Sequence, residues 1–430
     1  NEMKLRGTFS KRHAISLMVV GTVVCTILVS NEVFRSLAPR NESERKGKSH
    51  KSELNASNST GLCEGKDAIL MIQGGDSDAA VGTMFFMYVV NHFIYADMYN
   101  LLPWVHLDPK FPCYDEVIHG NYTKTFTMLS GVHESQVVGQ GDMLCNYWKK
   151  PQYYPGKPDF QTQLNPTEFT IVGNGLWASY FHSVGGYPPD DPSCKDKPLI
   201  LLNKRSRFPG MHVCAPWGVR PWSLNKVPEA LRPTNKTVHE WAAPMRERGA
   251  EKVAKYYRPL PWILDSVQKA NPNPDKKCLS MHIRLTDKGH GRQKKPLTLF
   301  QAYAEEYSQK SGGGALFVAT DDGTIMDVIR SQWKISKMYS QNNILRSSGH
   351  AAIFRTFVNE THRTNAEGIV DMYAMSKCDF FVHGFSAMAE AAIFINPQLH
   401  NRSVNVDVSE DELMSVETFG NKVQAFYKNH

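Results

Sequence analysis

Three short apolar runs in the C-terminal half constrain the fold of this chain more than any other feature. They cover residues 278–284, 315–320 and 379–383. Each run ends in polar residues and is followed by a helical pattern. Strands that alternate with helices in this way predict a parallel sheet in an α/β fold. Because ligands of open parallel sheets bind at the carboxyl ends of the strands, the polar residues there are the first candidates for a site.

The N-terminal half shows a second unit of the same kind. Residues 68–72 form an apolar strand, Gly74 and Gly75 lie in the turn after it, residues 79–100 carry a helical pattern, and residues 101–105 form the next strand. A strand, glycine turn, helix and strand in this order are typical of parallel α/β folds.

A proline-rich break at residues 257–261 divides these two units. We therefore predict two Rossmann-like domains, at residues 63–257 and 258–430. Residues 146–198 are rich in Tyr, Pro and Gly and lack periodicity, so they are either binding loops or surface loops packed by their own aromatic rings.

The first sixty residues predict a membrane address. Residues 14–31 carry no charge, and this run of eighteen residues is long enough for a short membrane-spanning helix. Four basic residues precede it. Basic residues remain cytosolic, so residues 1–13 are a predicted cytosolic tail and residues 32–62 a solvated stem. The competing interpretation is a cleaved signal peptide, whose apolar region is usually shorter than this one.

The charge distribution argues against a nucleic-acid-binding protein. The formal net charge is +7, and residues 1–60 contain ten Lys or Arg and five Glu, which leaves about +2 for the rest of the chain. The content of apolar residues, 41%, together with 21% charged residues, excludes a disordered chain.

Cysteines and glycosylation sequons fit an oxidising compartment. We expect one or two disulfides among five of the eight cysteines, and we expect Cys278 and Cys378 to be free and buried in core strands. The five are Cys63, Cys113, Cys145, Cys194 and Cys214. Seven Asn-x-Ser/Thr sequons begin at Asn41, Asn55, Asn58, Asn121, Asn235, Asn359 and Asn401.

Charged residues follow the first C-terminal strand. The guanidinium of Arg284 matches phosphate oxygens in pairs, and Lys288 offers a second positive charge. The alternative is an ordinary ion pair between Arg284 and Asp287.

Four further polar residues have both a functional and a structural interpretation. Asp321 and Asp322 follow the second strand and either cap the next helix or accept from a sugar hydroxyl. Asp371 lies among apolar residues of a predicted helix, where a carboxylate needs a partner such as the two N–H donors of guanine. Ser386 opens the last strand-associated helix, where phosphate is favoured, or is simply its N-cap.

Together, the segments HIRLTDK, VATDDG and GIVDMYAMSKCDFFVHGFSA resemble the GDP-fucose-binding half of the alpha-1,6-fucosyltransferase family. That family belongs to a superfamily with the protein O-fucosyltransferases and bacterial nodulation fucosyltransferases. The resemblance covers about residues 275–396, with a weaker similarity at Gly74 and Gly75.

The resemblance implies a GT-B fold, in which two Rossmann-like domains enclose a cleft. It also implies GDP-fucose as donor, inversion at the anomeric carbon, and no metal or other cofactor. His282 and Asp371 would recognise guanine, and Arg284 would hold the pyrophosphate and stabilise departing GDP. The remaining donor-site residues implied are Ser386, Asp287, Lys288, Asp321, Asp322, Gly74 and Gly75.

The sequence departs from this family in two places. The family's proposed catalytic base is an acidic residue a few positions after TDK, and here residues 289–295 contain none. His290 either takes the acceptor proton, since its ordinary pKa suits neutral pH, or is a solvated loop residue. Only 44 residues follow Ser386, too few for the extra β-domain of the animal enzymes, so the acceptor can differ.

Other motifs are absent or misplaced. The chain has no G-x-G-x-x-G fingerprint and no P-loop, and the D-x-D at residues 76–78 comes too early for a metal-dependent transferase. We therefore predict a Golgi type II fucosyltransferase of alpha-1,6 type that acts on N-glycans. The alternatives are protein O-fucosylation, transfer from another GDP-sugar, or an inactive relative that binds nucleotide or glycan.

Overall fold

In a computed structural model, the part of the chain from Ser59 to His430 is one compact unit. The structure describes residues 61–72, 82–105, 137–138, 176–186, 188, 191–195, 197, 199–202, 237–273, 277–286, 294–347, 353, 357 and 360–429. No helix among these residues is long and apolar enough to cross a membrane. The predicted tail, membrane span and most of the stem lie outside the described residues, and the predicted domain boundary near residue 257 stays a prediction.

Two parallel sheets form the framework. The first has four strands in the order β2-β1-β4-β3. They are β1 (Ala68–Ile72), β2 (Leu101–Val105), β3 (Val137–Val138) and β4 (Leu199–Leu202). Every pairing within it is parallel, so the predicted strands at residues 68–72 and 101–105 are confirmed as neighbours.

The second sheet has five strands in the order β7-β6-β5-β8-β9, again all parallel. They are β5 (Cys278–Ile283), β6 (Ala315–Thr320), β7 (Met338–Tyr339), β8 (Phe380–His383) and β9 (Ser403–Asn405). All residues of β5, β6 and β8 are buried, which explains why these strands are mostly apolar and do not alternate between apolar and charged residues. The three predicted strands are thus confirmed, with small changes at their ends.

Eight α-helices lie in the described part of the chain. They are α1 (Val89–Met98), α2 (Val238–Tyr256), α3 (Pro261–Ala270), α4 (Leu297–Lys310), α5 (Gly323–Gln332), α6 (Thr361–Ser376), α7 (Ala387–Ile395) and α8 (Val416–Asn429). A π-helical segment, Gly82–Tyr88, leads directly into α1. Local signals account for several starts, such as the capping box of Thr237 and Glu240 in α2 and the proline at the first position of α3.

Helix α7 joins the second sheet to helices from the earlier part of the chain. It packs on both α2 and the π-helical segment. At the α2 contact, a Cβ on Gly249 would lie 2.7 Å from the Phe394 ring, so any larger residue would have to displace that ring. Beside it, the guanidinium of Arg246 binds both carboxylate oxygens of Glu390 at 2.7 Å, with the two side chains 5% and 1% exposed. Two buried charges are tolerated here because they satisfy each other in a bidentate geometry.

Two disulfides cross-link distant parts of the chain. Cys63 pairs with Cys194, which confirms one of the bridges expected in the N-terminal half. The expectation that Cys278 and Cys378 are free thiols is wrong, because they form the second bridge. The reason is topological: Cys278 begins β5, Cys378 precedes β8, and these two strands are hydrogen-bonded neighbours.

Replacing both Cys278 and Cys378 by alanine should lower the free energy of unfolding by about 2–5 kcal/mol, since the bridge closes a long loop of the unfolded chain. Urea unfolding without reductant measures this loss. The Cys63→Ala/Cys194→Ala variant is the matched control and should lose a similar amount, because loop closure depends only logarithmically on the separations of 100 and 131 residues. An unchanged unfolding midpoint in the first variant would contradict the prediction.

Candidate functional site

The strand order of the second sheet defines one site at its carboxyl edge. If β5 is numbered as strand 1, the strand order across the sheet is 3-2-1-4-5. The chain therefore adds strands first on one side of β5 and then, from β8 onward, on the other side. Such a switch point leaves a crevice, because the connections from the two strands leave on opposite sides of the sheet. His282 and His383 are register partners at the ends of these two strands. The residues that follow β5, β6, β7 and β8 therefore surround the crevice.

Arg284 follows β5 and is oriented by the neighbouring strand. Its Nε lies 3.8 Å from Asp321 Oδ2, and its side chain is 26% exposed. Asp321 also accepts from the Leu285 backbone N–H at 3.3 Å and from the Thr286 hydroxyl. Asp321 thus holds the segment after β5 in place, while the guanidinium remains accessible.

The adjacent Asp322 has a structural role. It is the N-cap of α5, and its Oδ1 accepts from the Thr324 backbone N–H at 2.9 Å and from the Thr324 hydroxyl at 2.7 Å. Of the two interpretations considered for this residue, capping is the one that the geometry supports.

Asp371 lies buried in α6, and among the described residues one side chain, Gln341, is hydrogen-bonded to its carboxylate. Gln341, which follows β7, donates from Nε2 to Asp371 Oδ1 at 2.6 Å and to the Glu367 carbonyl at 2.7 Å. Burial raises the pKa of Asp371 from 3.8 to about 7, against the lowering effects of the Gln341 hydrogen bond and the Arg346 charge. A carboxylate in this position has acceptor capacity left for a ligand that brings N–H donors.

The charged groups around Asp371 form a connected set. Arg346 donates from Nη2 to the Gln341 carbonyl at 3.3 Å, and burial lowers its pKa. Glu367 accepts from the Leu345 N–H at 3.0 Å and from Arg363 at 2.8 Å. Residues 341–346 are therefore fixed against α6 on the side where Asp371 lies.

Ser386 and the start of α7 form the other side of the crevice. Ser386 is the N-cap, with its hydroxyl accepting from the Met388 N–H at 3.2 Å. The turn before it is fixed by a 2.7 Å hydrogen bond from the Phe385 N–H to Asp407. A Cβ on Gly82 would lie 2.8 Å from the Met388 nitrogen, so the π-helical segment begins directly against this helix terminus.

Six of the predicted site residues have a described position, and five lie outside the described residues. His282, Arg284, Asp321 and Ser386 lie at or just after the strands that border the crevice, Asp371 lies on α6, and Asp322 caps α5. Outside the description are Gly74, Gly75, Asp287, Lys288 and His290. Among the described residues, no group of three or more His, Cys, Asp or Glu is placed to hold a metal ion.

Sequence reasoning missed Gln341, Arg346 and Gly82. Gln341 follows a strand of only two residues, β7, which is too short to produce an apolar run. Arg346 lies in an irregular loop, so no spacing links it to Asp371. Gly82 did carry a signal, since an isolated glycine inside a helical pattern often marks a close approach of another backbone.

No protein-family model matches the chain, and no curated protein matches it. Solved structures give distant likenesses. Fucosyltransferase NodZ from Bradyrhizobium is 11% identical, with 81% of this chain and 98% of that chain covered and a TM-score of 0.36. A mutant of Arabidopsis thaliana FUT1 in complex with GDP is 12% identical, with coverages of 78% and 70% and a TM-score of 0.32. The apo form of POFUT1 is 11% identical, with coverages of 81% and 99% and a TM-score of 0.37.

Replacing Asp322 by alanine should lower the free energy of unfolding by about 1 kcal/mol, because the first turn of α5 loses its cap. Asp322→Asn should retain most of the stability, since the amide oxygen can accept the same Thr324 N–H. Chemical unfolding of both variants measures the difference. Equal losses in the two variants would mean that the charge, and not the cap, is what matters.

Proposed function

We propose that this chain is a GDP-fucose-dependent fucosyltransferase that acts on a glycan acceptor with inversion. The observation that carries the proposal is the placement of an accessible guanidinium, a buried carboxylate and a helix N-terminus around one switch point. The carboxylate suits the N–H donors of guanine, and the guanidinium and the helix N-terminus both suit the negatively charged diphosphate. The motifs that resemble the alpha-1,6-fucosyltransferase family supply these same groups.

The buried carboxylate of Asp371 is the group assigned to guanine. Guanine presents two adjacent N–H donors, and an ionised carboxylate accepts both, whereas adenine presents no such pair. Gln341 occupies one lone pair of Oδ1 at 2.6 Å and thereby fixes the carboxylate plane. His282, buried at the end of β5, is the second residue assigned to the base.

Arg284 and the start of α7 are assigned to the diphosphate. The guanidinium donates in pairs to phosphate oxygens, and the helix terminus adds oriented N–H groups and a favourable dipole. During transfer, the bond between the anomeric carbon and the diphosphate oxygen breaks, and negative charge develops on departing GDP. Fixed donors at that oxygen stabilise the transition state more than the ground state.

The residues that we assign to the acceptor reaction and to the rest of the donor site lie outside the described residues. The acceptor hydroxyl attacks from the face opposite the diphosphate and gives its proton to a base, for which His290 is our candidate. Gly74, Gly75, Asp287 and Lys288 would complete the donor site. We further propose alpha-1,6 linkage on N-glycans, no metal requirement, and a type II position in the Golgi membrane, with residues 14–31 as the anchor.

The direct test uses the full chain from a eukaryotic host. GDP release from GDP-fucose is measured with a panel of N-glycan and peptide acceptors, with and without a chelator. Transfer to a glycan supports the proposal. Failure to bind GDP-fucose would reject it, and binding without transfer to any acceptor would favour an inactive nucleotide-binding protein.

Arg284→Ala should reduce kcat by about 100-fold or more, because a donor to the developing charge is lost. Arg284→Lys should recover little of this, since an ammonium cannot replace a planar fork. Arg330→Ala is the matched control, because Arg330 is exposed on α5 and contacts only Ser340 in the described hydrogen bonds. Near-normal turnover of either Arg284 variant would contradict the assigned role.

GDP binding should weaken as the pH falls through about 7, because the carboxyl of Asp371 then gains a proton and loses its acceptor capacity. Gln341→Leu should move the midpoint to higher pH, since the hydrogen bond that lowers the pKa is lost. Calorimetric dissociation constants measured on both sides of this pH test the prediction. Asp371→Asn is the control. In this variant the GDP phosphates still titrate, so only the part of the pH dependence that is due to Asp371 should disappear.

A further inference from the structure

A second cavity, of about 270 Å³ and with both polar and apolar walls, lies between the start of α2 and the segment around β9. Its walls include Thr237 and His239 from the first turn of α2, and Ser403 and Asn405 from β9. The volume is slightly below the range of about 300–1,000 Å³ typical of small-molecule sites. The cavity therefore suits a ligand of one or two sugar rings better than a nucleotide.

The charges in the cavity wall offset one another. Arg246 is engaged by Glu390 and by Nδ1 of His400, the latter at 2.9 Å from Nη1. Lys422 contributes one positive charge and Glu412 one negative charge, and Glu412 Oε2 accepts from the Val238 N–H at 3.1 Å. With the charges balanced in this way, the wall favours a neutral polar ligand over an ion.

One residue that lines the cavity has a buried donor without a partner in the described part of the chain. Asn405 Oδ1 accepts from the Asp407 N–H at 3.0 Å, whereas Asn405 Nδ2 is buried and makes no hydrogen bond to any described residue. An unsatisfied buried N–H group is costly, so an acceptor oxygen supplied by a ligand would stabilise this position. Nearby, the His239 ring stacks on His400 with centroids 3.9 Å apart, and burial lowers the pKa of both rings.

A candidate point of attachment for such a ligand lies in the same wall. Asn401 is exposed, lines the cavity, and begins the sequon Asn401-Arg402-Ser403. The two disulfides indicate that the chain folds in an oxidising compartment, where sequons are modified. Of the seven sequons, this is the one whose asparagine lies among the described residues.

We propose that Asn401 carries an N-linked glycan whose first sugar, N-acetylglucosamine, occupies this cavity and accepts a hydrogen bond from Asn405. In the modification, a bond forms between Asn401 Nδ2 and the anomeric carbon of an oligosaccharide carried on a lipid diphosphate. The carbon–oxygen bond to the diphosphate breaks, the lipid diphosphate leaves with the electron pair, and the amide nitrogen loses one proton. The proposal rests on the secretory location in the proposed function, and not on fucosyl transfer.

The first experiment measures occupancy in the full chain, produced in a eukaryotic line restricted to high-mannose glycans. After trimming with an endoglycosidase that leaves one N-acetylglucosamine, mass spectrometry should find that sugar on the peptide containing Asn401. Ser403→Thr retains the sequon and should retain the sugar, whereas Ser403→Ala should lose it. An unmodified Asn401 in the wild-type chain overturns the proposal, and fucosyl transfer measured on the same sample shows whether the proposed function fails with it.

The second experiment tests whether the sugar occupies the cavity. With all samples trimmed to one sugar per site, Asn401→Gln should lower Tm by about 2 °C or more in the wild-type background. The same change should have little effect in the Asn405→Ala or Asn405→Asp background, because the partner donor is already gone. Additive effects in both backgrounds would overturn the seating of the sugar, since residues in contact are coupled and independent sites are not.

Discussion

The position of β5 between β6 and β8 is the constraint on which the rest of the site depends. Parallel strands joined by helical crossovers place all their carboxyl ends at one edge, so residues after four different strands meet there. Because the order reverses between β5 and β8, the edge contains a crevice instead of a continuous row of loops. Arg284 and Ser386 follow neighbouring strands at this edge for this reason, although they are about a hundred residues apart in the chain.

Buried charges distinguish the two polar regions of the molecule. The buried charges of Arg246 and Glu390 beside the α2–α7 contact neutralise each other, so neither needs a ligand for compensation. The carboxylate of Asp371 is stabilised by the side-chain amide of Gln341 and, from farther away, by the guanidinium of Arg346. These interactions do not offset its burial, so its pKa rises to about 7. A binding site benefits from such a group, because a ligand with N–H donors supplies the compensation that the protein lacks.

Local signals in the sequence are most informative where the interaction itself is local. The N-caps Asp322 and Ser386 bind backbone N–H groups two residues away, and their positions follow from residue type and the helical pattern. The strands β5, β6 and β8 were recognisable because burial on both faces requires an uninterrupted apolar run. The two-residue strand β7 was not, and Gln341 was missed with it.

The amino-acid sequence by itself determined the α/β class, the three central strands of the second sheet with the helices that follow them, and most of the polar residues at the ends of those strands. These depend on periodicity and on contacts between neighbours in the chain. Only the tertiary structure decided which distant residues meet: Cys278 with Cys378, Arg284 with Asp321, and Gln341 with Asp371. Strand order sets those meetings, and strand order arises from how the crossovers pack together, which no local pattern encodes.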